Sequence, residues 1–137
     1  MSADRNQAIV RAYFEQVYNQ GQDGLIHTLF APDFSDPGSG HDGLHGPRLA
    51  QHVVDYERSV LPDIHFEIEH MLTEGDDVVV KLRITGTHRG EYRGVPPSGR
   101  RVDIPAAQQM RLRDGQIATI VWHVFDRWLL LHQMGAV

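Results

Sequence analysis

The sequence predicts an α+β fold, in which a cone-shaped, curved antiparallel sheet packs against three N-terminal helices and encloses a pocket. Three observations carry this expectation. Apolar residues recur at three- to four-residue spacing in the first half of the chain. In the second half they alternate with polar residues, as in half-buried strands. Asp114-Gly115 joins the last two alternating runs and is a strong hairpin signal. Helices followed by hairpin-joined strands give an α+β layout rather than a parallel one. The 137 residues, with no linker or repeat, are expected to form one domain over 1–137.

The first helix is expected from Ile9, Val10, Tyr13, Phe14 and Val17, with Asp4 or Asn6 as its cap and Gly21 at its end. Leu25, Ile26, Leu29 and Phe30 share a face of a shorter second helix that Pro32 closes. A third runs from Pro47, in its first turn, to just before Pro62, with Leu49, Val53, Tyr56 and Val60 as its apolar stripe. The strands begin at Ile64, where Phe66, Ile68, His70 and Leu72 share parity. Val78, Val80, Leu82 and Ile84 line one face of the next run. After a Gly/Pro-rich excursion, "RRVDIPAAQQMRLR" meets "QIATIVWHVF", and an apolar helical turn follows at once.

Composition narrows the function. The net charge of −5 with neutral histidines argues against unaided nucleic-acid binding, which needs a basic footprint. The chain has no cysteine, which removes disulfides, thiol catalysis and cysteine-ligated zinc. The N-terminal residues lack a signal pattern and no apolar stretch approaches a membrane span, so a cytoplasmic location without a membrane partner is expected.

Gly38, Gly40 and Gly43 match the spacing of a dinucleotide-binding loop, but that fingerprint needs a preceding strand and a parallel sheet. The segment 38–46 reads as a flexible loop. His41 and His45, with Asp42 between them, have ligand spacing only on a helix, and the glycines break one there; no metal site is expected. Asp36 follows the second helix in an Asp-Pro turn signal, which by pattern alone makes it a turn residue; the alternative is a carboxylate at the mouth of the pocket. His88 shares parity with Val80, Leu82 and Ile84 and is expected to face inward unless Gly86 forms a bulge, either as a site residue or as a buried histidine satisfied by a backbone carbonyl. Asp126 shares parity with Ile120, Trp122 and Val124 and also precedes a helix, so it is expected both to cap that helix and to point into an apolar hollow. There, burial would raise its pKa and make it a proton shuttle.

These residues bring a family into view. The order of elements resembles the nuclear transport factor 2-like fold. Within it, "EGDDVVVKLRITGTHRGEYRGVPPSGRRV" (74–102), "RLRDGQI" (111–117) and "WHVFDRWLLLHQMG" (122–135) resemble the SnoaL-like polyketide cyclase, or ester cyclase, group. The resemblance implies a strand-end aspartate acting as general acid/base in an intramolecular aldol ring closure. Asp126 matches that aspartate by its distance from Trp122 and Gly135, and His88 matches the histidine of the family's GTH motif. The run from Ile117 to Trp122 is one residue longer than the family pattern, and a bulge within Thr119–Val121 is expected to absorb it. Ketosteroid isomerase is similar through "YFEQV" and "FSDPGSG", which would give Tyr13 and Asp36. Its further acid would fall near Ala107 to Gln109, where this chain has none, so isomerisation is a lesser alternative.

The expected substrate is a small apolar, polyketide-like carbonyl compound, walled by Tyr13, Phe14, Leu82, Ile84 and Trp122, with Gln109, His88 or Tyr13 donating to the developing oxyanion. Such a lyase- or isomerase-type enzyme needs no cofactor, because the substrate stabilises its own carbanion. The alternatives are epoxide opening by an Asp36–Asp126 pair and a non-catalytic binding module. Ile104, Met110, Leu112, Val121 and Phe125 read as an outward apolar face of the last strands, and a homodimer through the sheet is expected from them.

Overall fold

The computed structural model describes residues 2–41 and 43–137, so Met1 and Asp42 of the glycine-rich loop lie outside the described residues. Ser2, rather than Asp4 or Asn6, caps α1 (Ala3–Ala12), its side chain accepting from the Arg5 N–H at 3.2 Å. Asn6 instead lies one turn inside and is buried. The helix then widens into a π-helical stretch, Tyr13–Tyr18, whose longer repeat brings residues five apart onto one face. A 3-10 turn (Asp23–Leu25) leads into α2 (Ile26–Leu29), which is only one turn long.

The chain next extends into β1 (Phe30–Ser35), a strand not apparent in the sequence because Pro32 reads there as a helix stop. Proline is compatible with this strand because β1 lies at the edge of the sheet. α3 (Gly46–Val60) packs directly on it. Gly46 has φ +68° and an added Cβ would sit 2.4 Å from the Pro32 carbonyl oxygen, so glycine is required at this approach. The buried face of α3 is carried by Leu49, Ala50, Val54 and Val60, while Tyr56 of the expected stripe is 42% exposed.

The remaining elements are β2 (His65–Glu74), β3 (Asp77–Thr87), β4 (Arg101–Arg113), β5 (Gln116–Phe125) and α4 (Arg127–Gln133). The strand order is β1-β5-β4-β3-β2. β2 to β5 pair antiparallel, but β1 runs parallel to β5, so the sheet is mixed rather than purely antiparallel. Pro105 is tolerated in β4 because its carbonyl accepts from the Asp126 N–H at 3.3 Å, so its ring nitrogen faces the same side, beyond the end of β5.

Bulges reset the parity of two strands. In β2, pairing skips Glu69, so Ile68 and Met71 share the half-buried face and His70 is exposed. In β5, pairing skips Ala118 and again Val121. Ile117 and Ile120 both reach the core, and after Val121 the inward positions are His123 and Phe125. Trp122 and Val124, expected inside, are 38% and 58% exposed. A bulge does fall within Thr119–Val121, but its effect is to turn Trp122 outward. The proposed outward apolar face is corrected by the same register: Ile104, Met110 and Leu112 are buried and Phe125 is half-buried. The exposed apolar residues on the outside of β5 are Val121, Trp122 and Val124.

The Gly/Pro-rich excursion between β3 and β4 is pinned at both ends. His88 exchanges backbone hydrogen bonds with Arg100 and Gly99 at 2.9 and 2.8 Å, and Gly90 N–H donates to the Val60 carbonyl at 3.2 Å. An added Cβ on Gly90 would lie 1.7 Å from the Ser59 carbonyl oxygen, which leaves no room without moving the loop off α3. Gly90→Ala is therefore expected to lower stability by about 1–3 kcal/mol or more, measured by urea unfolding; an unchanged midpoint would show that this loop is not clamped to α3.

Candidate active site

Helices and sheet leave a cavity of about 190 Å3 between α3, the π-helical stretch and the inner faces of β3, β4 and β5. Its wall is mostly apolar, with Val60, Phe66, Ile84, Ile104, Ala106 and Ile120. Asp36, Glu57, Tyr13, Tyr18, Gln108 and His123 supply polar groups to it.

Asp36 arrives because β1 ends beside β5. Ser35 pairs with Thr119, their hydroxyls are in contact, and the Thr119 hydroxyl also donates to the Ser35 carbonyl at 3.2 Å. The next residue turns through Pro37 and Gly38, with the Ser39 N–H closing on the Asp36 carbonyl at 3.1 Å. The Asp36 side chain is 3% exposed. Its Oδ1 is buried without a hydrogen-bond partner, 4.0 Å from His123 Nε2. Burial pushes its carboxyl above the ordinary 3.8, while His123, the Gly38 N–H and His41 pull the other way. Gly38 also makes room for the imidazole, since a Cβ there would meet His123 Nε2 at 3.2 Å.

A second polar group lines the same cavity. Arg58 of α3 donates to the Val17 carbonyl at 2.7 Å and to Asp23 at 2.8 Å, which clamps the end of the π-helical stretch onto α3. Asn19 brackets the backbone of Phe66 with bonds of 2.8 and 2.9 Å and ties the same segment to β2. Tyr18 is thereby held against Glu57 and hydrogen-bonds to its Oε2, and Tyr13 hydroxyl lies 3.2 Å from Tyr18 hydroxyl. Loss of water pushes Glu57 up to about 7, against the Tyr18 hydrogen bond that lowers it and with a further upward push from the charge of Asp36. Burial also drives both tyrosines well above the ordinary phenol value of 10.0.

The candidates from sequence divide sharply. Asp36, Tyr13 and Ile84 line the cavity. Phe14 and Leu82 are fully buried in the core beside it and do not line it. Gln109 and Trp122 lie on the outer face, where Trp122 Nε1 donates to Gln109 Oε1 at 2.6 Å; the cavity amide is Gln108, whose Oε1 is buried without a partner. His88 is fully buried but off the cavity, its Nδ1 held by Ser98 through the hydroxyl at 2.8 Å and the N–H at 3.2 Å. It fastens the excursion rather than facing a substrate.

Asp126 is exposed, does not line the cavity, and caps α4 by accepting from the Leu129 N–H at 2.9 Å. The bulge at Val121 is the physical reason for this correction. The Asp36–Asp126 pair imagined for epoxide opening is likewise absent from the cavity.

Sequence reasoning missed Glu57, Tyr18, Gln108 and His123. For Glu57 a signal existed, since Ala50, Val54, Glu57 and Leu61 fall at one helical face. Tyr18 required the π-helical repeat, and His123 required the bulge. Among the described residues no three His, Asp or Glu side chains converge as a metal-binding group, and no helix is long and apolar enough to cross a membrane.

Comparison with known proteins adds to this geometry. The family model for SnoaL-like polyketide cyclase matches residues 8–134. The chain belongs to that family. Nogalonic acid methyl ester cyclase of Streptomyces nogalater is 28% identical over 102 residues, covering 73% of this chain and 76% of that protein. Among solved structures, a SnoaL-like protein from Jannaschia Sp. CCS1 superposes with a TM-score of 0.86 at 26% identity, over 100% of this chain and 97% of the other. TsrD of Streptomyces laurentii shares the fold at a TM-score of 0.85 and 22% identity, covering 100% of this chain and 99% of that one. Membership in this family fits an enzyme acting on small polyketide-like compounds.

Glu57 generates a stability prediction. Its folded pKa of about 7 lies above the ordinary 4.5, so between these values the folded chain holds more protons than the unfolded one. Stability from this group is fully present below about 4.5 and is lost as pH rises through 7. Urea unfolding across that window is expected to show a shallower decline in Glu57→Gln than in the wild type. Equal slopes would place Glu57 in water.

Proposed function

We propose that the chain catalyses an intramolecular aldol-type ring closure of a small polyketide-like carbonyl compound, with Asp36 as the base and His123 as its partner in proton transfer. One observation carries this reading: the buried Asp36 Oδ1 has no hydrogen-bond partner and faces an apolar cavity, with His123 Nε2 4.0 Å away. A carboxylate kept from water is a stronger base than an exposed one, and its raised pKa brings it closer to the working pH.

The substrate enters with its acidic carbon, flanked by two carbonyls, toward Asp36. Asp36 takes one proton from that carbon. The resulting enolate forms a carbon–carbon bond to a second carbonyl of the same molecule, and His123 returns a proton to the new alkoxide. Asp36 passes its own proton to His123, so nothing is gained or lost by the protein. The flanking carbonyls delocalise the carbanion, and the wall supplies orientation and water exclusion. Gln108, cross-strand from His123, lines the cavity, and its amide N–H2 is the donor that holds one substrate oxygen in this reading.

Asp126 corresponds in sequence to the family's strand-end aspartate, but its oxygen is engaged in capping α4 at the surface. In this proposal Asp36 takes the role that the sequence pattern gives to Asp126. The two are separated by parallel measurement of ring closure on a polyketide-derived β-keto ester. Asp36→Asn is expected to lower kcat by roughly 100- to 10,000-fold, whereas Asp126→Asn, which preserves a good cap, stays within a few-fold of wild type. The reverse pattern would return the chemistry to Asp126.

A further inference from the structure

Tyr13, Tyr18 and Glu57 form a hydrogen-bonded row in the wall of the same cavity as the Asp36–His123 pair, and ring closure at that pair leaves the row unused. Its members come from two elements, the π-helical stretch and α3. The row exists only because the π repeat puts residues 13 and 18 on one face. A hydroxyl both donates and accepts, so the same oxygen positions allow the row to run in either direction. With Glu57 ionised it must accept from Tyr18, which then accepts from Tyr13, and the Tyr13 proton is consumed within the row. With Glu57 protonated the direction can reverse, freeing the Tyr13 hydroxyl to donate into the cavity.

We propose that this row is a carbonyl-oxygen-binding pole: protonated Glu57 donates to Tyr18, Tyr18 donates to Tyr13, and Tyr13 donates to a ketone or enolate oxygen of the substrate. The inference deepens the aldol reading and rests on it for the identity of the substrate, but not for the binding itself. It makes Tyr13 the residue that touches substrate, and Tyr18 and Glu57 positioning residues that set the direction of its proton. A neutral acid is what an apolar wall favours, because a buried carboxylate without a cation is costly. The nearest cation on α3, Arg58, is already engaged by Asp23 and the Val17 carbonyl. Burial raises Glu57 to about 7, so the direction of the row changes within the physiological range.

Tyr18 bonds Glu57 directly and Asp36 acts on it through charge, while Tyr13 of the π-helical stretch, Tyr56 of its own helix, His41 beyond β1 and His123 of β5 line the same cavity; Arg58, next in sequence, is turned to Asp23 and the Val17 carbonyl. Tyr92 and Arg93 of the excursion and Arg127 of α4 line the same cavity. Asp36 is thus the other acid able to imitate the effect, and the test separates the two.

The probe is 1-indanone carrying carbon-13 at its carbonyl, a neutral aryl ketone that does not titrate, observed by isotope-edited infrared spectroscopy with the full chain. At pH 6 the bound carbonyl band is expected to shift to lower frequency, as hydrogen bonding weakens the C=O bond. At pH 8.5 at least half of that shift is expected to be gone. Tyr13→Phe should lack the shift at both pH values, whereas Tyr18→Phe, which leaves Tyr13 no acceptor within the row, should show it at both. Glu57→Gln, whose amide donates at every pH, should show it at both. Asp36→Asn should keep the wild-type pH dependence while losing ring closure, which separates failure of this pole from failure of the aldol reading. A shift independent of pH in the wild type, its survival in Tyr13→Phe, loss of its pH dependence in Asp36→Asn, or no bound band at saturating ketone would each overturn the proposal.

Discussion

The site is organised around a carboxylate that the fold withholds from water. Asp36 sits one residue beyond an edge strand that pairs with β5, and that pairing delivers it beneath the cavity wall rather than into solvent. A buried polar oxygen without a partner is expensive, of the order of 1–3 kcal/mol and more when charged. Proteins retain such groups where strain or chemistry requires them. His123, 4.0 Å away, answers the charge without a close hydrogen bond and leaves space for a reacting atom. The Thr119–Ser35 contacts and the small Gly38 hold this spacing from below.

The same cavity carries a second acid in a different environment. Asp36 is opposed by an imidazole and a backbone N–H, whereas Glu57 is opposed by phenols and by Asp36 itself. Two carboxyls with unlike surroundings are a general way to obtain a base and an acid at one pH. Arg58, the next residue in sequence, is engaged by Asp23 and the Val17 carbonyl rather than by Glu57.

Much of the fold was legible because hydrophobic periodicity marks each element even where a bulge resets its phase. The helical half, the four long strands and the Asp114-Gly115 hairpin follow from it. The family also showed in the segments around His88 and Asp126, although those two residues prove to fasten a loop and cap a helix. The site was harder to read for a simple reason: side-chain direction depends on counting residues, and one extra residue inverts it. Val121 exchanges His123 for Trp122 as the inward residue, and the same step moves Asp126 to the surface. The π-helical turn does the equivalent in the helical half, aligning Tyr13 with Tyr18 in a way no 3.6-residue pattern suggests. β1 was hidden by Pro32, so Asp36 read as a turn residue although the strand before it aims it inward.

The central claim is that Asp36 is a desolvated base facing His123. Carboxyl carbon-13 NMR of the wild-type chain tests it most directly, with the Asp36 resonance assigned by its absence in Asp36→Asn. The account predicts that Asp36 titrates above the ordinary 3.8 and that His123→Asn, which removes the imidazole that lowers it, moves it higher still. A titration at or below 3.8, unmoved in His123→Asn, would contradict it.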